Sequence, residues 1–125
     1  MSTAVSHPDE TLTKDRSWVD EFPGAITVCD AEGKILEMNR TAADNFAADG
    51  GTKLIGTNAL DCHPEPARTR LKQLLETKQL NVYTIEKKGV RKLIYQSPWY
   101  EAGNYAGFVE LSLAIPTEIP HFSRD

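Results

Sequence analysis

The last third of the chain most constrains the fold, because three strand-like segments follow one another there with only short turns between them. The segments are rich in β-branched, aromatic or alternating apolar residues and cover residues 82–86, 91–97 and 108–115. Residues 87–89 and 101–104 form the turns, and strands joined by such short turns run antiparallel. Pro98 has no N–H group, so it marks an edge or a bulge of the fourth strand of the chain.

The first half of the chain predicts a second hairpin followed by a helix. Residues 25–29 and 34–38 favour strands, and residues 30–33 between them favour a turn. Asn39 is a suitable N-cap for a helix that runs to about residue 48. The apolar side of that helix is expected to consist of Ala42, Ala43, Phe46 and Ala47.

The clearest amphipathic helix begins after a turn rich in proline, at residue 67, and is expected to end between residues 77 and 79. Its apolar face is predicted to contain Ala67, Leu71, Leu74 and Leu75. This helix is expected to pack across the sheet. The resulting fold class is α+β, with a five-stranded antiparallel sheet that carries its helices on one face. A cavity between helix and sheet is the natural ligand site of such a domain.

The chain has 125 residues, which is the size of a single domain with one core. We expect that domain to span residues 17–116, between a disordered N-terminal tail at 1–16 and a C-terminal tail at 117–125. The balance of 40% hydrophobic and 26% charged residues is typical of a soluble globular protein. The net charge of −4 argues against a nucleic-acid binder, which would need a basic surface.

The two cysteines, Cys29 and Cys62, are too few for a disulfide framework and match no zinc-site spacing. We therefore expect reduced thiols in a cytoplasmic protein. Residues 1–14 lack the apolar core of a signal peptide, and no apolar stretch is long enough to cross a membrane.

Three segments together resemble a bacterial PAS sensor domain. Residues 23–35 look like the opening hairpin of that family, residues 38–43 like its asparagine and following helix, and residues 107–115 like its last strand. The turn at residues 62–64 is similar to one in a subset of bacterial PAS domains. The resemblance implies a five-stranded antiparallel sheet flanked by short helices. It also implies sensing of a small ligand, redox state or light, or dimerisation, with the signal passed to an output partner.

The chain departs from the family pattern at two places. In the box that flavin photosensors use, Asn58 is followed here by Ala59 instead of the reactive cysteine, so a flavin photosensor is not expected. After the last strand, residues 114–116 read Ala-Ile-Pro where many members have Asp-Ile-Thr before an output helix. Because proline does not favour a continuing helix, we expect either a stand-alone sensor or a domain cut from a longer chain.

Four residues are candidate ligand-binding residues: Cys62, His63, Tyr95 and Trp99. His63 is either a capping residue of the long helix or a ligand to haem iron or another metal. Cys62 is either a small half-buried residue or a redox-sensing thiol favoured by the helix dipole and His63. Tyr95 and Trp99 share one face of their strand, as part of the core, a dimer interface or a pocket lining. No metal site is predicted, and the cofactor is left unspecified.

Independent catalysis is not expected, because the sequence contains no paired carboxylates, nucleophile elbow, Walker loop or Gly-x-Gly-x-x-Gly motif. The alternatives are a ligand-free interaction module with a filled core and a haem- or redox-sensing domain that uses His63 or Cys62. A short helix over residues 17–22, capped by Ser17, would present Trp18, Val19 and Phe22. We expect this segment to form a homodimer against an exposed face of the sheet.

Overall fold

The computed structural model describes residues 16–125, so residues 1–15 of the predicted N-terminal tail at 1–16 lie outside the described residues. The helices are α1 (Ser17–Glu21), α2 (Arg40–Asn45) and α3 (Ala67–Thr77). The strands are β1 (Ala25–Asp30), β2 (Ile35–Met38), β3 (Asn81–Lys87), β4 (Val90–Glu101) and β5 (Asn104–Ile115). Three 3-10 turns cover Ala47–Asp49, Gly51–Leu54 and Ala59–Cys62.

The five strands form one antiparallel sheet in the order β2-β1-β5-β4-β3, which confirms the predicted fold class. The β4–β5 turn is shorter than expected, and β5 therefore starts four residues earlier than predicted, at Asn104. Ala102 and Gly103 alone reverse the chain, with φ angles of 50° and 83°. Such left-handed two-residue turns match the natural twist of a hairpin.

Pro98 is unpaired on one side of β4 and so lies at a local edge of the sheet, as predicted. It pairs with Phe108 of β5 on one side, whereas the pairing with β3 ends at Gln96 and Asn81. No N–H group is therefore required of Pro98 on its outer side. The irregularity of the strand falls after Pro98, between Trp99 and Tyr100.

Asn39 is the buried polar residue around which the first half of the chain is arranged, with 2% of its surface exposed. Its Oδ1 accepts hydrogen bonds from the backbone N–H groups of Ala42 and Ile26. Its Nδ2 donates to the carbonyl oxygens of Gly24 and Val19. The side chain is thus the predicted cap of α2 and also joins α2 to β1 and α1.

Helix α2 is shorter than the sequence predicts and ends at Asn45. Phe46 leaves the helical conformation, with φ −107° and ψ 23°, and a 3-10 turn follows. Ala42 is fully buried, but Ala47 is exposed because the change of helix type rotates it away from the core.

Helix α1 is present, but its predicted cap is wrong. Arg16 holds the N-cap position without a side-chain cap bond, and Ser17 is the first helical residue. An ion pair between Arg16 and Glu37 of β2 holds this end of the helix to the edge of the sheet. Phe22 lies just beyond the helix rather than in its last turn.

Helix α3 packs on the sheet as predicted, through Leu74 and Leu75, which form a buried cluster with Cys29 and Phe108. Leu71 is partly buried beside this cluster. Ala67 was expected on the same apolar face but is exposed. It is the first residue of α3, and this end of the helix projects past the buried cluster on the sheet. A second cluster of Ala25, Ile35, Met38 and Ala42 fills the other end of the core.

Candidate functional site

A cavity of about 190 Å³ lies between the sheet and the segments that connect β2 to α3. Its sheet side is formed by Thr27 and Cys29 of β1, Phe108 and Glu110 of β5, and Gln96 of β4. The strand register brings these side chains together, since Thr27 pairs with Glu110, Cys29 with Phe108, and Gln96 with Glu110. Side chains at such paired positions share one face of the sheet.

The rest of the lining is apolar and consists of two residues of β2 together with residues of the connecting segments and α3, namely Ile35, Met38, Phe46, Leu54, Ala59 and Leu71. Asp49, Cys62 and His63 also line the cavity, and the first two are exposed. An apolar cavity of about 150 Å³ is sufficient to bind benzene. The space is therefore suited to a molecule with about one ring, and Leu71 is the residue through which α3 contacts it.

A chain of hydrogen bonds between side chains runs from α3 into the cavity. Arg70 Nη2 donates to Asn81 Oδ1 at 3.2 Å, and Asn81 Nδ2 donates to Gln96 Oε1 at 2.8 Å. Gln96 Nε2 then donates to Glu110 Oε1 at 2.7 Å. The Glu110 carboxylate is thereby held in a fixed position on the sheet side of the cavity.

Two of the four predicted ligand residues, Cys62 and His63, line the cavity. The Nδ1 atom of His63 lies 2.6 Å from the carbonyl oxygen of Ala59. A carbonyl oxygen can only accept, so Nδ1 carries the proton and donates, which leaves Nε2 as the second nitrogen of the ring. His63 therefore caps the end of the 3-10 turn Ala59–Cys62, and the predicted capping of the long helix is wrong.

Glu65 performs the role at the start of α3 that the sequence suggested for His63. Its Oε1 accepts from the hydroxyl of Thr69 at 2.7 Å and from the backbone N–H of Thr69 at 3.1 Å. These two hydrogen bonds lower the pKa of the Glu65 carboxyl group. Glu65 lies just before the N-cap residue Pro66, and a carboxylate close to the N-terminus of a helix is also favoured by the helix dipole.

Cys62 is exposed, and its Sγ lies 3.9 Å from the carbonyl oxygen of Asn58. The prediction that the dipole of the long helix stabilises the Cys62 thiolate is wrong, because α3 begins only at Ala67. Cys62 instead ends a 3-10 turn, where carbonyl groups rather than N–H groups are left free. His63 directs Nδ1 to Ala59 and not to the thiol.

Cys29 is the buried thiol of the cavity. Burial is the main cause that raises the pKa of Cys29, and the negative charges of Asp30 and Glu110 add to it. Burial, followed by the charge of Glu110, also raises the pKa of the Tyr83 hydroxyl on β3. The charge of Glu110 therefore raises the pKa of a group on each side of β5, namely Cys29 on β1 and Tyr83 on β3.

The other two predicted ligand residues, Tyr95 and Trp99, do not line the cavity. They pair with Leu111 and Gly107, positions that alternate with the cavity residue Phe108 and its neighbour Glu110. The two aromatic side chains share one face of β4 as expected, but it is the face without the cavity. Trp99 instead donates from Nε1 to the carbonyl oxygen of Cys29 at 3.0 Å.

The polar residues that the prediction missed, Gln96 and Glu110, have a recognisable signal in the sequence. Each interrupts a strand of mainly apolar or aromatic residues, next to Tyr95 and Leu111 respectively. Period-two alternation therefore separates them from the aromatic face. Phe46 and Leu71 were expected as core residues of their helices and instead contribute to the cavity wall.

The described residues give little support for a metal or haem centre. Among residues 16–125, no group of three or more His, Cys, Asp or Glu side chains is arranged to hold a metal ion. The cavity is also smaller than the roughly 300 to 1,000 Å³ of pockets that bury drug-sized ligands. A porphyrin has several rings and is much larger than the one-ring molecule that this volume holds. It therefore does not fit beside His63 unless the walls of the cavity move apart. Within the same residues, no helix is long and apolar enough to cross a membrane.

Comparison with known proteins identifies the fold family. A family model described as the PAS fold matches residues 19–113. No match was found among curated proteins. The PAS domain of an HTR-like protein from Haloarcula marismortui superposes with a TM-score of 0.65 at 15% identity, covering 92% of this chain and 100% of that chain.

Two further solved structures share the fold at low identity. The PAS domain of Bordetella pertussis BvgS has a TM-score of 0.58 at 20% identity and covers 86% of this chain and 88% of that one. The Aer2 receptor of Vibrio cholerae, described as a dual PAS-heme oxygen sensor, has a TM-score of 0.54 at 18% identity, with 74% and 95% covered. The family match over residues 19–113 and the five-stranded sheet agree, and the chain belongs to the PAS family of sensory domains.

Proposed function

We propose that this PAS domain is a sensory domain that binds a small molecule in the cavity between α3 and the sheet. The observation that carries the proposal is the cavity itself, which has an apolar wall and a few fixed polar groups on its sheet side. Binding sites for small molecules have this composition, because apolar contact supplies affinity and a few polar groups supply orientation. The open volume favours ligand binding over the alternative of an interaction module with a filled core.

The signal would pass through the packing of α3. Leu71 contacts the cavity, whereas Leu74 and Leu75 of the same helix are buried against the sheet. The hydroxyl of Tyr105 also donates to the carbonyl oxygen of Leu75 at 2.9 Å. A ligand that contacts Leu71 more favourably in one position of α3 shifts the population toward that position.

Native mass spectrometry tests this proposal. The protein is measured untreated, together with its absorbance spectrum, and again after incubation with a mixture of one-ring compounds. Ala59→Leu places a larger side chain in the cavity wall, and Ala48→Leu adds the same bulk at an exposed position outside it. We expect a bound small molecule in the original chain and in Ala48→Leu, but not in Ala59→Leu. Equal binding by all three, or binding by none, contradicts the cavity as a ligand site.

We also propose that the domain forms a homodimer through the face of the sheet opposite the cavity. That face carries apolar and aromatic side chains, namely Val82, Leu93, Tyr95, Leu111 and Leu113. Phe22 converges on it, since a Cβ atom added at Gly24 would lie within 2.6 Å of both Phe22 and Leu113. Trp18 is 66% exposed. Val82, Tyr95 and Phe22 are each more than a third exposed, and exposed apolar surface of this kind is a candidate interaction site.

Light scattering tests the dimer. We expect a dimer for the full chain and a weaker one after deletion of residues 1–20 or for Trp18→Ser. Leu80→Ser is a matched control, because Leu80 is 53% exposed in the turn between α3 and β3 and lies outside the proposed interface. A dimer that persists unchanged in Trp18→Ser and in the deletion contradicts this arrangement.

A further inference from the structure

The fixed charges on the side chains that line the cavity are negative. Glu110 and Asp49 contribute carboxylates, and among the described residues that line the cavity there is no lysine or arginine. His63 is the remaining titratable base, and its Nδ1 is engaged by Ala59. An anionic ligand would therefore enter a site with no fixed positive charge to offset the loss of its hydration.

Hydrogen bonds fix the position of the Glu110 carboxylate in the cavity. Gln96 holds one oxygen atom of the carboxylate at 2.7 Å, and Asn81 fixes Gln96 in turn. A carboxylate has acceptor sites on both of its oxygens, so one hydrogen bond from Gln96 does not exhaust its capacity. A donor on a ligand can complete the set, and a hydrogen bond to a charged acceptor is stronger than a neutral one.

Resting on the proposed function of the cavity, we infer that its ligand is a one-ring molecule bearing a protonated or N–H nitrogen, bound by Glu110. The apolar wall around Leu71 and Phe46 takes the ring, and the nitrogen donates to the carboxylate. The same charges lower the affinity for carboxylate and phosphate ligands. The size limit follows from the volume of about 190 Å³.

Three probes of one shape and different charge test this inference: benzylamine, benzyl alcohol and benzoate. Their dissociation constants are measured by NMR titration of the backbone amide signals, with the amides of Gln96 and Glu110 reporting on the cavity. We expect benzylamine to bind most tightly, benzyl alcohol next and benzoate least. Glu110→Gln preserves the shape and the acceptor for Gln96, and should weaken benzylamine by about tenfold or more while changing benzyl alcohol little.

Glu101→Gln is the control for a general charge effect, because Glu101 is exposed at the β4–β5 turn. It should leave the affinity for benzylamine unchanged. The amide spectrum shows whether each variant is folded, and if Glu110→Gln is not, the ranking of the three probes on the original chain decides.

The possible failures are distinguishable. If the probes shift the cavity amides but bind equally, or benzoate binds most tightly, the inference about ligand charge is overturned and the cavity remains a ligand site. If benzylamine binds Glu110→Gln as tightly as the original chain, the role of Glu110 is overturned. If no probe shifts the cavity amides, the proposed function fails together with the inference.

Discussion

The side-chain amide of Asn39 donates a 2.8 Å hydrogen bond to the carbonyl oxygen of Gly24, 15 residues earlier in the chain. The same nitrogen donates to Val19, while Oδ1 accepts from Ile26 and Ala42. All four hydrogen-bonding positions of the amide are therefore filled in a residue that is 2% exposed. Asn39 therefore caps α2 and also attaches α1 to the rest of the domain.

Substitution of Asn39 is expected to destabilise the domain strongly. Asn39→Asp keeps an acceptor for Ala42 and Ile26 but removes the donor to Gly24 and Val19, and it places a charge in the core. We expect a loss of about 3 kcal/mol in the free energy of unfolding, because buried carbonyl groups are left without a partner. Urea unfolding measures the loss. Asn45→Asp, at the exposed end of α2, should cost less than about 1 kcal/mol, and equal effects would refute the assigned role of Asn39.

Gly107→Ala is expected to disrupt the pairing of β1 with β5. Gly107 has φ of 145°, and an added Cβ atom would lie 2.0 Å from the carbonyl oxygen of Cys29. We expect a loss of more than about 2 kcal/mol in the free energy of unfolding, since backbone must move to make space. Gly103→Ala separates strain from clash, because Gly103 has φ of 83° with nothing near its Cβ position. It should cost about 1 to 2 kcal/mol, and thermal or urea unfolding compares the two.

Trp99→Phe separates a structural role from a ligand-binding one. The substitution keeps an aromatic ring but removes the Nε1–H that donates to the carbonyl oxygen of Cys29. We expect a loss of about 1 kcal/mol in the free energy of unfolding and no change in the affinity for benzylamine. Isothermal calorimetry and urea unfolding measure the two quantities. Weaker benzylamine binding in a stably folded Trp99→Phe would contradict the assignment of Trp99 to the face without the cavity.

Stability is expected to fall at alkaline pH. Burial is the leading cause that raises the pKa values of Cys29, Tyr83 and Tyr105 in the folded state. The folded chain therefore keeps protons that the unfolded chain releases from about pH 8.5 for cysteine and about pH 10 for tyrosine. Because the unfolded state then binds fewer protons, the free energy of unfolding decreases as pH rises through these values.

Urea unfolding between pH 7 and pH 10 tests this dependence. Cys29→Ala should make the decline near pH 9 shallower, because the buried thiol no longer contributes. Cys62→Ala is the matched control at the exposed cysteine and should keep the original slope. A slope that is unchanged in Cys29→Ala would assign the alkaline dependence to other groups.

Local features were sufficient to predict the sheet, but not which face of it carries the cavity. Tyr95 and Trp99 were correctly placed on one side of β4, because period-two alternation depends only on neighbours in the strand. The side that becomes the cavity depends on where α3 crosses the sheet, which no pattern within β4 contains. Gln96, one residue from Tyr95, lines the cavity instead.

Predictions at the helix ends succeeded only where the hydrogen-bond partner is close in the chain. Asn39 was identified as a cap because its partner Ala42 is three residues away, whereas its bonds to Val19 and Gly24 join residues 20 and 15 positions apart. His63 was assigned to the wrong end of the wrong element, since a short 3-10 turn gives no periodic signal. Glu65, which does support the start of α3, had no apolar pattern to mark it.

The strand order also bears on how the domain assembles. Strands β3, β4 and β5 are joined by two-residue turns, so their pairing involves neighbouring segments, whereas β1 meets β5 through contacts such as Ala25 with Ser112. Closing so long a loop has a larger entropic cost and slows the step that requires it. Since the cavity needs β1 and β5 side by side, we expect it to exist only once this last pairing is complete. A ligand would then bind completely folded chains and not partly folded ones.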